Sequence, residues 1–390
     1  MKKVLIVNKS FETGGIQSSM INMANELAKH CQVDLFLYAP HGPMKERLSP
    51  AIRILPATWR FQALGTPMKQ ILATKDLRMI LFRLFAFMWS KLFTNKFPIQ
   101  RAIKHQPRLD GYDIAISFHQ EQRKNSVLSG FSRVVAQLTD AKTKYAWVHY
   151  DSSLVSLDNN YNAQFYRKMD KVFCVSRSLR DGFIRTNPTL TEKVDFCYNF
   201  MDYEQIFEKS ELPQGVPLAK DKFICFSACR LSPVKALDRA IKAMAPVFHA
   251  HPDVMWYIAG DGPERTVVEK AIKEADLETR IILLGNQKNP YPYMKNADLV
   301  LNVSYHEAAP MAFFEAKFLG VPIFATETSS TAELLHNGVD SFVCPNTAEG
   351  IHTLFSELMS NRQQIAQAKE NLQAFSASNA DSLEKVLSRV

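Results

Sequence analysis

Two carboxylates in the stretch SYHEAAPMAFFEAKFLGVPIFA, Glu307 and Glu315, are separated by seven residues. The apolar run Leu299–Val303 predicts a strand, Ala308–Pro310 a tight loop, and Met311–Leu319 a helix with proline just before it. Glu307 then stands at the strand exit and Glu315 about one turn inside the helix. An acidic residue at a helix start commonly compensates the helix dipole, but Glu315 is too far in for that. The turn through Ala309, Pro310 and Met311 offers backbone amides suited to sugar hydroxyls or phosphate oxygens.

Two cations have a comparable setting. The strand-like run Phe223–Ala228 leads into CRLSPVKALDRAI, which puts Arg230 and Lys235 five residues apart at the start of a helix. Ligands of open α/β sheets sit beyond the carboxyl ends of the strands. Two cations there can hold a diphosphate and stabilise it as a leaving group without a metal; the plainer alternative is two solvated surface charges. Near the N-terminus, NKSFETGGIQSSM places Gly14 and Gly15 directly before a helix, where a phosphate can approach backbone amides. That signal is weak alone, being neither a G-x-G-x-x-G nor a P-loop. His149, in YAWVHYD, stands at a strand end, where a lone histidine is more often structural.

These groups need a scaffold. The chain has 390 residues, 46% hydrophobic and 22% charged, a globular composition long enough for two domains of roughly 150–200 residues. Short β-branched runs alternate with helical patterns from Val4–Val7 onward, and the alternation restarts after Asn199, as in two parallel sheets covered by helices. The expected domains are residues 1–200, residues 201–370, and a C-terminal helix over 371–390 returning toward the first. Lys209–Lys220, rich in proline, glycine and charge, reads as the connection between them. In the second series Leu237, Ile241, Met244 and Phe248 share one helix face. The first apolar run ends at Val7 with no cleavage site after it, so it reads as a strand rather than a signal peptide. Six scattered cysteines suit buried thiols in the cytoplasm, and the Cys225/Cys229 pair lacks the second pair that a zinc site needs.

Charge is uneven. The net +8 fits phosphorylated ligands, an anionic membrane or nucleic acid, but no aromatic-basic recognition motif supports nucleic acid. From Lys69 to Lys104, the cations Lys75, Arg78, Arg83, Lys91, Lys96, Arg101 and Lys104 are opposed only by Asp76. On a helical wheel Leu77, Leu81, Leu84, Phe85, Met88 and Leu92 share a broad face. No run here reaches the roughly 20 apolar residues of a membrane span. The segment reads as a basic amphipathic helix lying on an anionic membrane surface; the alternative is a core helix whose basic residues snorkel.

In their order and spacing these elements resemble the retaining glycosyltransferases of family 4. The resemblance covers nearly the whole chain: the Gly14-Gly15 loop, YRKMDKVFCVS with YNFMD, Arg230 and Lys235, IAGDGP, LLGNQ, and the Glu-x7-Glu motif ending EAKFLGVP. It implies the GT-B fold, two Rossmann-like doubly wound α/β domains facing across a nucleotide-sugar cleft. It also implies that Arg230 and Lys235 bind the donor diphosphate, Glu315 the nucleotide ribose, Glu307 and His149 the donor sugar, and that Gly15 approaches a phosphate. Two positions depart from the pattern, where Ala236 and Ala308 replace glycines.

The expected activity is retaining transfer of a sugar from a nucleotide-diphosphate sugar, a UDP-sugar by preference, to a saccharide or lipid-linked acceptor. The context would be cell-surface polysaccharide, capsule or lipopolysaccharide assembly at the inner face of the cell membrane. No cofactor or metal is expected, because no Asp-x-Asp cluster stands at a strand end. A sugar-nucleotide epimerase or phosphorylase would show turnover without acceptor or dependence on phosphate; a membrane scaffold would bind lipid and hydrolyse no donor.

Overall fold

A computed structural model describes residues 1–150 and 159–388, which divide into two compact units. One holds residues 1–200 together with the stretch that begins at Asn379; the other runs from Met201 to Ser378.

In the first unit the strands are β1 (Lys3–Ser10), β2 (Gln32–Ala39), β3 (Arg53–Leu55), β4 (Ile114–Ser117), β5 (Thr143–Val148), β6 (Lys171–Cys174) and β7 (Val194–Phe196). Among the described residues they form a parallel sheet in the order β3-β2-β1-β4-β5-β6-β7. Val4, Leu5, Ile6 and Val7 are fully buried in succession. Such unbroken apolar runs belong to strands covered on both faces, and each side chain of this size contributes roughly 1.5–3 kcal/mol on burial. The helix Ala380–Leu387 closes this unit: Ser382 Oγ donates to the Tyr198 carbonyl at 3.2 Å and Lys385 Nζ to that of Phe196 at 2.8 Å.

The second unit repeats the plan with β8 (Phe223–Ala228), β9 (Val254–Ala259), β10 (Ile281–Gly285), β11 (Leu299–Asn302), β12 (Ile323–Thr326) and β13 (Ser341–Cys344). Their order is β10-β9-β8-β11-β12-β13, and every pairing is parallel. Leu237, Ile241, Met244 and Phe248 of the helix Leu237–Ala250 are buried, as their spacing predicts, with Phe355 and Leu358 in the same core.

Two expectations change. Lys209–Lys220 is not a free connection: Val216 N donates to Tyr293 Oη at 2.7 Å, and Ala219 N to Tyr257 Oη at 3.0 Å, so the stretch is bound to the second unit. The basic segment is also not one helix but three, Met68–Thr74, Leu77–Leu92 and Lys96–Lys104. Lys75 in the left-handed region ends the first, and Asp76 caps the second by accepting from the Arg78 and Met79 amides.

Candidate active site

Each sheet reverses its strand order, between β1 and β4 and between β8 and β11. Open α/β sheets take ligands outside the carboxyl ends of the strands at such a reversal. In the second unit the chain leaves β8 toward Arg230 and Lys235, and leaves β11 toward Glu307. The sequence-chosen groups therefore flank one switch point.

The IAGDGP turn after β9 fixes the first of these loops. Gly260 has φ +145°, and a Cβ there would lie 1.8 Å from the Cys229 carbonyl oxygen; a Cβ at Gly262 would lie 2.2 Å from that of Leu231. Both sites require glycine. Leu231 N donates to the Asp261 carbonyl, and Glu264 N to that of Leu231, each at 3.1 Å. Arg230 is exposed beside this contact.

Lys235 ends a single 3₁₀ turn, and Ala236 takes φ 50°, ψ 34° before the helix begins at Leu237. The helix expected to include Lys235 thus starts after it. From that turn Lys235 Nζ donates to Glu307 Oε1 at 2.5 Å. The same oxygen accepts from Ser304 Oγ at 2.7 Å and Asn302 Nδ2 at 3.4 Å. Burial alone would lower the Lys235 pKa, but Glu307, with Cys229 adding, raises it, so the site keeps a charged lysine.

Further residues, not singled out by sequence reasoning, hold the Glu307 loop. Asn346 Nδ2 donates to the carbonyls of Ser304, Tyr305 and Glu327 at 3.3, 3.0 and 2.8 Å. Arg239 donates to the Val303 carbonyl at 2.8 Å and stacks over Tyr305 at 4.1 Å. Ser329 and Ser330 hydroxyls donate to the Glu307 carbonyl. None belongs to a short motif; each becomes visible only when the strand ends are side by side.

Glu315 takes another partner, accepting from the Tyr291 hydroxyl at 3.2 Å. It lies on the helix Met311–Phe318, whose cap position, Pro310, makes no side-chain bond; Ala309 precedes it. The first amides, at Met311 and Ala312, have no acceptor within the helix. A small recess lined by Ala228, Lys235, Asn302, Ser304 and Ala312 opens at this point. A larger depression of about 510 Å³ lies against Leu212, Ile224 and Asp298, at the amino ends of the strands.

In the first unit Gly14 precedes the helix Gly15–Ala28. A Cβ at Gly15 would meet nothing within 4 Å, so packing does not demand glycine there. His149 follows β5. Its Nε2–H donates to the Phe118 carbonyl at 2.7 Å, which leaves Nδ1 as an acceptor. Burial pulls its pKa down to about 3 despite that bond, with His119 adding to the depression. Gln120 Oε1 accepts from the amides of His149 and Tyr150 at 2.8 and 3.1 Å. Gln120 therefore positions His149, and no sequence spacing announced it.

Residues 208–375 match the family model described as glycosyl transferases group 1. The second unit belongs to this family. Arg230, Lys235, Glu307 and Glu315 all lie within the matched residues of this group 1 glycosyl transferase unit; Gly14, Gly15 and His149 lie outside them. The chain is 26% identical over 153 residues to N-acetyl-alpha-D-glucosaminyl L-malate synthase of Bacillus anthracis, covering 39% of this chain and 40% of that protein. It is 28% identical over 198 residues to a Campylobacter jejuni enzyme, N-acetylgalactosamine-N,N'-diacetylbacillosaminyl-diphospho-undecaprenol 4-alpha-N-acetylgalactosaminyltransferase, covering 49% and 52%. The chain thus spans about half the length of the curated relatives it matches. Among solved structures, Anabaena Alr3699/HepE in complex with UDP and glucose superposes with a TM-score of 0.71 at 19% identity over 100% of both chains. That likeness establishes the GT-B fold for the group 1 glycosyl transferase unit and its N-terminal companion.

Proposed function

We propose that the protein is a retaining glycosyltransferase that moves a sugar from a UDP-sugar to a hydroxyl of a saccharide or lipid-linked acceptor. The observation that carries this reading is the Lys235–Glu307 pair at the β8/β11 switch point, beside the uncapped helix that starts at Met311. Lys235 spends one N–H on Glu307 and has two more for a diphosphate; Arg230, exposed on the same loop, adds the second cation. The amides at Met311 and Ala312 supply a further anion-binding edge. Glu315 takes the ribose hydroxyls, with Tyr291 steadying its carboxylate.

The reaction breaks the bond between the anomeric carbon and the diphosphate oxygen, whose electron pair leaves with the diphosphate. Arg230 and Lys235 stabilise that charge where it develops. The acceptor oxygen bonds the anomeric carbon on the same face, and its proton passes to a donor phosphate oxygen. Glu307 orients the sugar and is not a nucleophile. The HepE complex with UDP and the group 1 family match support the donor class; the Campylobacter relative, named for an undecaprenol-linked acceptor, supports the acceptor class. The pathway proposed is cell-surface polysaccharide, capsule or lipopolysaccharide assembly, with the enzyme peripheral at the inner membrane face and independent of metal.

The test is transfer from UDP-glucose and UDP-N-acetylglucosamine to an alkyl-glycoside acceptor in chelator, with the product anomer read by NMR. An α-linked product from an α-linked donor supports the reading; inversion, or turnover only with added phosphate, overturns it.

A further inference from the structure

The helix Leu77–Leu92 carries its apolar residues on the wrong side for a core helix. Its buried stripe is narrow: Met79, Phe82, Ala86 and Ser90. The broad apolar face lies on the opposite side, with Leu77, Leu81, Met88 and Leu92 between 62 and 74% exposed. Leu84, Phe85, Phe93 and Phe97 extend the patch, each more than a third exposed. The snorkelling core helix is therefore not what forms. Contiguous exposed apolar surface of this kind marks an interaction site.

Charge decides the partner. Residues 69–104 hold eight basic side chains and one acidic, a net +7 against +8 for the whole chain. The single acid, Asp76, is already paired with Arg78 at 3.0 Å. Lys75, Arg78, Lys91 and Lys96 are exposed around the apolar face, with Lys91 Nζ over the Phe87 ring at 5.6 Å. Two such faces brought together would repel, which argues against a second copy. Trp89 is half-buried at the helix end, with its ring against those of Phe85, Phe93 and Phe97 at 5.7, 4.8 and 4.9 Å. Aromatic rings beside a basic rim suit the headgroup level of a bilayer.

We infer that the helix Leu77–Leu92 lies flat on an anionic lipid surface, inserting Leu77, Leu81, Leu84, Met88 and Leu92 while Lys75, Arg78, Lys91 and Lys96 meet the headgroups. The inference rests on the proposed membrane-face location and names the surface that produces it. Binding combines apolar insertion with charge attraction, so both are required.

The 390-residue chain is sedimented with vesicles of phosphatidylcholine alone or phosphatidylcholine and phosphatidylglycerol in roughly a 7:3 ratio, with Trp fluorescence followed in parallel. The expected result is binding to the mixed vesicles only, a blue shift, and weakening in about 0.5 M salt. The triple substitution Leu77→Ser, Leu81→Ser, Met88→Ser should lower vesicle affinity more than about tenfold, as should Lys75→Glu with Lys91→Glu. Circular dichroism and UDP calorimetry of both variants should match the unmodified protein, which separates a failure here from a failure of the donor reading. Equal binding to neutral vesicles, no binding, unchanged binding by the triple variant, or a concentration-dependent dimer that the triple variant abolishes would each overturn the inference.

Discussion

At the residue scale, the site depends on one ion pair and one strained turn. Lys235→Ala removes the cation proposed to meet the leaving group and leaves Glu307 Oε1 with Ser304 and Asn302; kcat/KM should fall roughly 10²–10³-fold with the fold retained by circular dichroism. Ala236 sits at φ 50° while almost fully buried. That conformation costs a residue with a Cβ roughly 1–2 kcal/mol. Ala236→Gly should therefore raise stability by about 1 kcal/mol in urea titration, with donor affinity unchanged. The same turn explains why glycine follows the lysine in the family pattern, and why the departure is tolerated.

At the element scale, glycines that serve packing separate from a glycine that does not. Gly262→Ala drives a Cβ into the Leu231 carbonyl and should destabilise the chain by roughly 2–4 kcal/mol, read as a lowered melting temperature. At Gly15 an added Cβ meets nothing within 4 Å, so Gly15→Ala should hold stability within about 0.5 kcal/mol, read in the same melting experiment. The central strands were legible in the sequence because Val4–Val7 and Phe223–Ala228 are apolar runs that local pattern alone reveals. The three-residue edge strands Arg53–Leu55 and Val194–Phe196 were not, since pairing with a neighbour and not composition makes them strands. Glu307 and Lys235 could be chosen by type and spacing, but Asn346, Arg239 and Gln120 could not. Each of those acts on carbonyls or amides far away in the chain. The amphipathic face of Leu77–Leu92 was readable; which side packs inward was a tertiary fact.

At the scale of the whole molecule, pH and ligand linkage are the informative handles. Burial depresses His119 to about 4 and His149 to about 3 from 6.5. Both are neutral when folded and take up protons on unfolding in acid. Their contribution is complete above the unfolded value and is lost as pH falls from about 6.5 through 4 and then 3, so the melting temperature should decline across that window. For the same reason His149 should add no inflection to kcat between roughly pH 5 and 8; an inflection there that His149→Gln removes would show the histidine titrating in use.

In the proposed function the second unit holds a uridine nucleotide between Arg230, Lys235 and Glu315. The decisive measurement is calorimetry with UDP, GDP and ADP against the 390-residue chain and the variants Arg230→Ala, Lys235→Ala and Glu315→Ala. UDP should bind selectively, its binding weakened at least about tenfold by each substitution; binding of none of the three nucleotides, or UDP binding indifferent to all three substitutions, would rule out that site.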